Sequence, residues 1–148
     1  ADAVWTDQPG QVCAVMVADC VPILLAAKDG SCVAAIHAGW RGLAAGVVER
    51  TLMETHYCPE ALHAVIGLCI SPNAYVVGRD VLLQLSKYLS LEEQGSRLLN
   101  LKKVSKHALM GMGVKSIIDI NEALGINGKY SYRKSALTGR NACYIFFN

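Results

Sequence analysis

The sequence lacks a strong charge of either sign. Fourteen Lys and Arg against twelve Asp and Glu give a formal charge of +2 over 148 residues. This balance offers no electrostatic case for binding nucleic acid or an anionic membrane surface. The sequence also lacks an apolar run of the roughly 18 residues that a membrane helix needs, and no basic start leads into a signal-like segment. We therefore expect neither nucleic acid nor a membrane as a partner.

A cysteine framework is also missing. The six Cys form no CxxC pair and no tight cluster, whereas a secreted disulfide scaffold is normally smaller and denser in Cys. Four of them lie in apolar runs, where a free Cys behaves as a small hydrophobic residue: Cys13, Cys20, Cys32 and Cys143. This pattern predicts a reducing, cytoplasmic compartment.

Hydrophobic residues are abundant: they make up 53% of the chain, and charged residues make up 18%. These proportions are typical of a core-rich globular protein, and the length fits one domain over residues 1–148. The sequence begins without Met, and residues 2–6 already have an extended pattern. We therefore expect a fragment of a longer protein that lacks an N-terminal segment. The oligomeric state is left open.

Two long apolar runs are joined by Lys28-Asp29-Gly30. Asp-Gly between such runs predicts a hairpin, and runs that are apolar on both faces predict central strands. Pro22 predicts a break or bulge just after Cys20. Residues 43–57 have the spacing of an amphipathic helix that starts at Leu43.

Strands and helices alternate along the rest of the chain. Residues 63–70, 114–120 and 142–148 have the pattern of strands, and residues 79–89 and 101–113 that of helices. Polar residues 92–97 predict an exposed loop. This order predicts an α/β fold of layered, mixed β-sheets covered by helices.

Cys20 and His37 stand at the ends of the two predicted hairpin strands. Antiparallel pairing about Asp29 would bring them close together. A thiolate and an imidazole facing one space suit zinc as ligands, or they form a nucleophile and base. A third interpretation is that both are core residues.

Gly39-Trp40-Arg41-Gly42 follows His37. The two glycines allow close backbone approach, and a helix starting at Leu43 would present free amides to an anion. The planar, permanently charged fork of Arg41 suits phosphate or carboxylate. The alternative is a surface or capping Arg.

The segments "ADCVPILL" and "AAIHAGWRGLAAGVV" closely resemble the paired motifs of the YfiH family. These are laccase-domain proteins, named polyphenol oxidases and more recently purine nucleoside phosphorylases. Further blocks follow in the family's order over nearly the whole chain: "DAVWTDQPG", "IGLCISPNAYVVG", "LNLKKVSKHALMGMGV" and "YSYRKSALTGR". The resemblance implies an α/β fold, which is related by fold-level analogy to the deamidase domain of cytotoxic necrotizing factor toxins.

The resemblance also implies a site and an activity. One zinc would be held by Cys20, His37 and a second His, from a Gln-Val-His segment that lies upstream of residue 1. The implied reaction is phosphorolysis of purine nucleosides, with deamination of adenosine at the same site. Purine nucleoside and phosphate are the implied partners, with Trp40 stacking on the base or packing in the turn. The resemblance assigns catalysis to Cys20, His37 and Arg41, and substrate binding to Gly39, Trp40, Arg41, Cys69, Tyr75, Tyr132, Arg133 and Arg140, with Thr138 nearby.

The chain departs from the family pattern at several positions. Leu68 replaces a Pro, Val76 replaces a Glu, and no Cys-Thr precedes "SYR". Three other hypotheses therefore stay open: a metal-free Cys–His hydrolase or deamidase, a copper polyphenol oxidase, and a catalytically inert binding domain. A laccase holds several coppers through many His, and the four His of this chain are too few for such a centre.

Overall fold

The computed structural model describes residues 2–120, 131 and 137–148. The strands are β1 (Ala3–Thr6), β2 (Val12–Val17), β3 (Val21–Ala27), β4 (Val33–Ala38), β5 (Leu62–Ile66), β6 (Ser116–Asp119) and β7 (Asn141–Phe146). The α-helices are α1 (Trp40–Ala44), α2 (Val47–Glu54), α3 (Arg79–Gln84), α4 (Leu91–Gly95) and α5 (Leu101–Gly111). Short 3-10 turns lie at Pro59–Ala61, Pro72–Ala74 and Ser86–Tyr88.

Two sheets form the framework. A five-stranded sheet has the order β1-β4-β3-β5-β6, in which β5 and β6 are parallel and the other neighbours antiparallel. Strands β2 and β7 form a separate antiparallel pair. Helices α2 and α5 pack on the five-stranded sheet, and β2 and β7 contact β3 and β4. The prediction of an α/β fold with layered, mixed sheets is confirmed.

The central strands are buried on both faces, as their composition predicts. In β4, Ala34 and Ile36 belong to the larger core with the helices, while Val33 and Ala35 belong to a second core with β2. Each core takes alternate residues of the strand, because successive side chains point to opposite faces. Strand β2 itself has one exposed face, so the apolar run containing it is not wholly buried.

The predicted hairpin between β3 and β4 is present. The Ala27 amide donates to the Cys32 carbonyl at 2.8 Å, and Gly30 has a φ of +76° in the turn. Pro22 lies opposite His37 in the register. The break expected just after Cys20 instead covers residues 18–20, and Pro22 is the second residue of β3. A Pro near the start of a strand removes few ladder hydrogen bonds, so the strand includes it.

The helix predicted to start at Leu43 begins earlier and is interrupted. Gly39 is the N-cap of α1, which therefore starts at Trp40 and includes Gly42. Gly46 has a φ of +78° and separates α1 from α2. This left-handed conformation favours Gly and ends a right-handed helix. The free amides that were predicted to face an anion thus lie in the first turn of a five-residue helix. The dipole of so short a helix is smaller than that of a long one.

Two further segments differ in detail. The predicted helix over 79–89 is α3 followed by a 3-10 turn. Residues 92–97, expected as a loop, lie mostly in α4, because Ser90 and Glu93 form a capping box that satisfies its first amides. Within the described ranges, no helix is both long and apolar enough to cross a membrane.

Gly67 is a position where the fold depends on the missing side chain. A Cβ there would lie 2.7 Å from Cγ and 3.3 Å from the carbonyl oxygen of Pro22, and the Gly67 amide donates to that oxygen at 2.9 Å. We expect Gly67→Ala to lower the free energy of unfolding by about 1–3 kcal/mol, the usual cost of overpacking. Urea denaturation measures this, with Gly111→Ala as the control because its added Cβ meets nothing within 4 Å. Equal stability of the two variants would contradict the steric explanation.

Candidate functional site

The side chains of Cys20 and His37 converge beside Gly39. A Cβ on Gly39 would lie 2.9 Å from Cys20 Sγ and 3.9 Å from His37 Nε2. Pairing of β3 with β4 creates this arrangement, since Val21, next to Cys20, lies opposite Ala38, next to His37. The structure therefore brings together the thiol and the imidazole that the sequence placed at two strand ends, and both are half-buried.

Acidic groups lie around this pair. Asp2, placed by the β1–β4 pairing, has its Oδ1 3.9 Å from His37 Nδ1, and its carbonyl accepts the His37 amide at 2.7 Å. Burial raises the pKa of the Cys20 thiol, and the negative charges of Asp19 and Asp2 raise it further. A thiol in this setting stays protonated at neutral pH unless a cation stabilises the thiolate.

Cys69 lies near Asp19 and Cys20. It follows β5, and the next residue, Ile70, donates its amide to the Asp19 carbonyl at 3.0 Å. Burial raises the pKa of Cys69 to about 12; Lys102 opposes this shift, whereas Asp119, Cys20 and Asp19 add to it. Cys69 is thus a protonated thiol, and its assignment to substrate binding stays a prediction.

Arg41 and Trp40 line a shallow surface cavity of about 360 Å³ together with Ala44, Ala45 and Gln84. The Arg41 guanidinium lies 4.5 Å from the centroid of the Trp40 ring. This cation–π contact orients an otherwise exposed Arg. Gln84, on α3, was not identified from the sequence, because no local motif relates it to residues 40–45.

The remaining predicted site residues are distributed differently. Tyr75 is buried in the core, while Arg140 is exposed and donates to the carbonyls of Thr138 and Gly139 at 3.1 Å.

Tyr132 and Arg133 lie outside the described residues. Ser131, which directly precedes them, donates its hydroxyl to Asp19 Oδ1 at 2.6 Å. Ser131 itself therefore lies beside the Cys20 segment.

The other three histidines lie elsewhere. His63 Nδ1 is 2.6 Å from Ser116 Oγ, and His107 Nδ1 is 2.7 Å from the Tyr88 carbonyl oxygen. His56 is exposed with a φ of 57°. Among the residues that the structure describes, no group of three or more His, Cys, Asp or Glu is placed to hold a metal ion. Cys20 and His37 are thus two converging donors.

Known proteins resemble the chain over its full length. Purine nucleoside phosphorylase of Haemophilus influenzae is 40% identical over 162 aligned residues, which cover 99% of this chain and 65% of the relative. Purine nucleoside phosphorylase YfiH of Escherichia coli K12 is 36% identical over 157 residues, covering 99% and 63%. The chain thus spans just under two thirds of the length of these curated relatives.

Solved structures share the fold. A Neisseria meningitidis protein has a TM-score of 0.89 at 34% identity, covering 100% of this chain and 65% of its own. YlmD from Geobacillus stearothermophilus has a TM-score of 0.84 at 30% identity, covering 99% and 61%. A family model described as multi-copper polyphenol oxidoreductase laccase matches residues 1–148. The chain therefore belongs to this laccase-domain family, the YfiH family that its motifs resemble.

Proposed function

We propose that Cys20 and His37 are two ligands of a zinc ion. Their donor types suit zinc, and Sγ and Nε2 approach one point beside Gly39. Asp2 faces Nδ1 of His37, and a carboxylate on the far ring nitrogen is the usual support of a ligating His. The third ligand is proposed to come from outside the stretch that the structure describes. Zinc bound there would supply a Lewis acid that polarises the oxygen or nitrogen it contacts.

The function best supported is phosphorolysis of purine nucleosides. The convergence of Cys20 and His37, with Arg41 four residues further on, carries this proposal, and relatives at 40% and 36% identity are named purine nucleoside phosphorylases. Phosphate attacks C1′ of the ribose, and the purine leaves. Deamination of adenosine is proposed as a second activity of the same site. Phosphate-dependent release of purine from inosine, together with metal analysis, tests the function.

Arg41 is proposed to hold the phosphate. Its guanidinium offers paired donors in a plane, and the Trp40 ring beneath it fixes its direction. Because α1 has only five residues, Arg41 has to supply most of the positive charge at this position. Trp40 and Gln84 line the same cavity as Arg41. We propose that this cavity also holds the part of the substrate next to the phosphate.

The copper oxidase hypothesis fits the donor set poorly. A multi-copper centre needs many converging imidazoles, but His56, His63 and His107 lie apart from His37, and two of them contact Ser116 or Tyr88. The family is named after a laccase, but the described part of this chain offers no cluster of imidazoles that could hold several coppers.

The metal-free hydrolase hypothesis is also less well supported. Burial and the charges of Asp19 and Asp2 raise the pKa of Cys20, which suppresses the thiolate that a nucleophile needs. Zinc in one-to-one amount, removed together with activity by a chelator, would favour the phosphorylase. Full activity after chelation would favour the hydrolase, and nucleoside binding without turnover would favour an inert domain.

Gly39→Ala probes the proposed metal position. Gly39 has a φ of −84°, which Ala adopts without strain, but the new methyl group would approach Cys20 Sγ at 2.9 Å. We expect zinc affinity to fall about 10- to 100-fold, the range typical of mutating a residue that supports a metal ligand. Competition with a chromophoric chelator measures the affinity, and Gly111→Ala is again the control. Unchanged zinc affinity in Gly39→Ala would place the metal elsewhere.

A further inference from the structure

Glu49 connects the two sides of the cavity that Arg41 lines. It lies on α2, one turn after Gly46, the glycine that separates α1 from α2. Its Oε2 is buried and lies 3.6 Å from where a Cβ on Gly46 would be. Its Oε1 accepts hydrogen bonds from the Tyr88 hydroxyl and, at 3.2 Å, from Lys87 Nζ. The carboxylate therefore lies between the α1–α2 junction and the 3-10 turn that follows α3.

Backbone hydrogen bonds connect both ends of this link to residues that line the cavity. The Tyr88 amide donates to the Leu85 carbonyl at 2.9 Å, and Leu85 directly follows Gln84 of α3. On the other side, the Ala45 amide donates to the Arg41 carbonyl at 2.9 Å, directly before the α1–α2 junction. Gln84, Ala45 and Arg41 all line the cavity, so a shift of either end of the link changes the width of the cavity.

Glu49 is ionised, and its bond to Tyr88 is the stronger of the two. Burial alone would raise the pKa of Glu49, but hydrogen bonds from Tyr88, from its own amide and from Lys87 hold that pKa below its usual value. Burial and Glu49 raise the pKa of the Tyr88 hydroxyl, which therefore remains a donor at neutral pH. The Lys87 side chain is 54% exposed, and exposed ion pairs contribute little. A hydrogen bond from a buried hydroxyl to a carboxylate contributes more.

We propose that Glu49 is a positioning residue of the cavity: by accepting the Tyr88 hydroxyl, it holds α3 with Gln84 against the α1–α2 junction that follows Arg41. Glu49 acts through Tyr88 and touches no reacting atom. The inference rests on the proposed phosphorolysis for its kinetic effect, because Arg41 is the residue proposed to hold the phosphate. The link between Glu49 and Tyr88 is itself independent of any activity.

Tyr88→Phe is the most selective variant. It removes the hydroxyl, and with it the hydroxyl's interactions with Glu49 and Lys87. It keeps the buried ring, over which Lys87 lies, and the backbone carbonyl, which is 2.7 Å from His107 Nδ1. Tyr57→Phe is the matched control, because it removes a hydroxyl that donates to a carbonyl in the remote hairpin turn between β3 and β4.

Two variants of Glu49 separate the hydrogen bond from the charge. Glu49→Ala removes the acceptor of both bonds, whereas Glu49→Gln removes the charge and keeps an acceptor oxygen for Tyr88. Losing a negative charge near the cavity would by itself favour phosphate, so weaker phosphate binding in Glu49→Ala cannot come from the charge. Glu54→Ala is the control, because Glu54 is an exposed Glu at the end of the same helix.

Steady-state kinetics of the natural full-length protein with inosine test the positioning. We expect the KM for phosphate to rise roughly 3- to 10-fold in Tyr88→Phe and Glu49→Ala while kcat stays close to the parental value, since a loosened cavity weakens ground-state and transition-state binding alike. Glu49→Gln is expected to recover most of the loss, and both controls to keep the parental KM. Zinc content is expected to stay parental in every variant. A parental KM for phosphate in Tyr88→Phe, or a loss confined to kcat, would overturn the proposal.

Hydrogen–deuterium exchange separates this proposal from the proposed function. Peptides covering residues 40–50 and 79–88 are expected to exchange faster in Tyr88→Phe and Glu49→Ala than in the parent or in Tyr57→Phe. Unchanged exchange in both variants would overturn the link even if the parent is an active phosphorylase. Faster exchange in variants of a parent that does not phosphorolyse inosine would support the link and refute the proposed function alone.

Discussion

Cys20→Ser is expected to remove most of the zinc and with it the nucleoside phosphorylase activity. A Ser hydroxyl is a poor substitute for a thiolate, which is a strong zinc ligand. Losing a residue that only supports a metal ligand typically lowers metal affinity about 10–100-fold, so losing the ligand itself is expected to cost more than about 100-fold. Elemental analysis of the dialysed protein gives the zinc content per chain.

Cys58→Ser is the matched control for that variant. Cys58 is a free, exposed thiol that precedes a 3-10 turn, so its loss should leave both zinc content and activity unchanged. Zinc retained in one-to-one amount by Cys20→Ser would show that Cys20 is not a ligand. In that case the convergence of Cys20 and His37 beside Gly39 would serve packing alone.

Arg41→Ala is expected to impair phosphate use while leaving zinc bound. Removing one preorganised donor typically costs about 2–4 kcal/mol of transition-state stabilisation. The expected change is therefore a roughly 10- to 1,000-fold loss in kcat/KM for phosphate. Arg41→Lys should recover only part of it, because an ammonium lacks the planar pair of donors that Arg41 holds over Trp40.

The control for Arg41 is Arg50→Ala, another exposed Arg, on α2. It removes the same charge from the surface without changing the cavity at α1. Parental kinetics in Arg41→Ala at subsaturating phosphate would make Arg41 a structural residue whose contact with Trp40 only stabilises the start of α1.

Local chemistry explains what the sequence could predict. The Asp29-Gly30 turn specifies the hairpin from two adjacent residues, and the hairpin register places Cys20 near His37. The helix start was wrong because Gly39 is an N-cap without a side-chain hydrogen bond, and Gly46 breaks the following turn. The spacing of apolar residues indicates neither the helix cap at Gly39 nor the interruption at Gly46.

Long-range contacts account for what the sequence could not predict. The bonds from Ile70 and Ser131 to Asp19 join segments that are distant in the chain, and neither contact has a local pattern. Gln84 comes to the Arg41 cavity from α3 in the same way. The family motif named Cys69 and the block that contains Ser131, but only the fold shows that Cys69 and Ser131 themselves lie near the Cys20 segment.

The most direct test of the proposed zinc-dependent phosphorolysis is release of free purine base by the natural full-length protein, with and without phosphate. Inosine is supplied, and hypoxanthine and ribose 1-phosphate are quantified together. The proposal predicts equal amounts of the two products, dependence on phosphate, loss of release after chelation and recovery with zinc. Release of hypoxanthine at the same rate without phosphate, or no release by protein containing one zinc per chain, would contradict it.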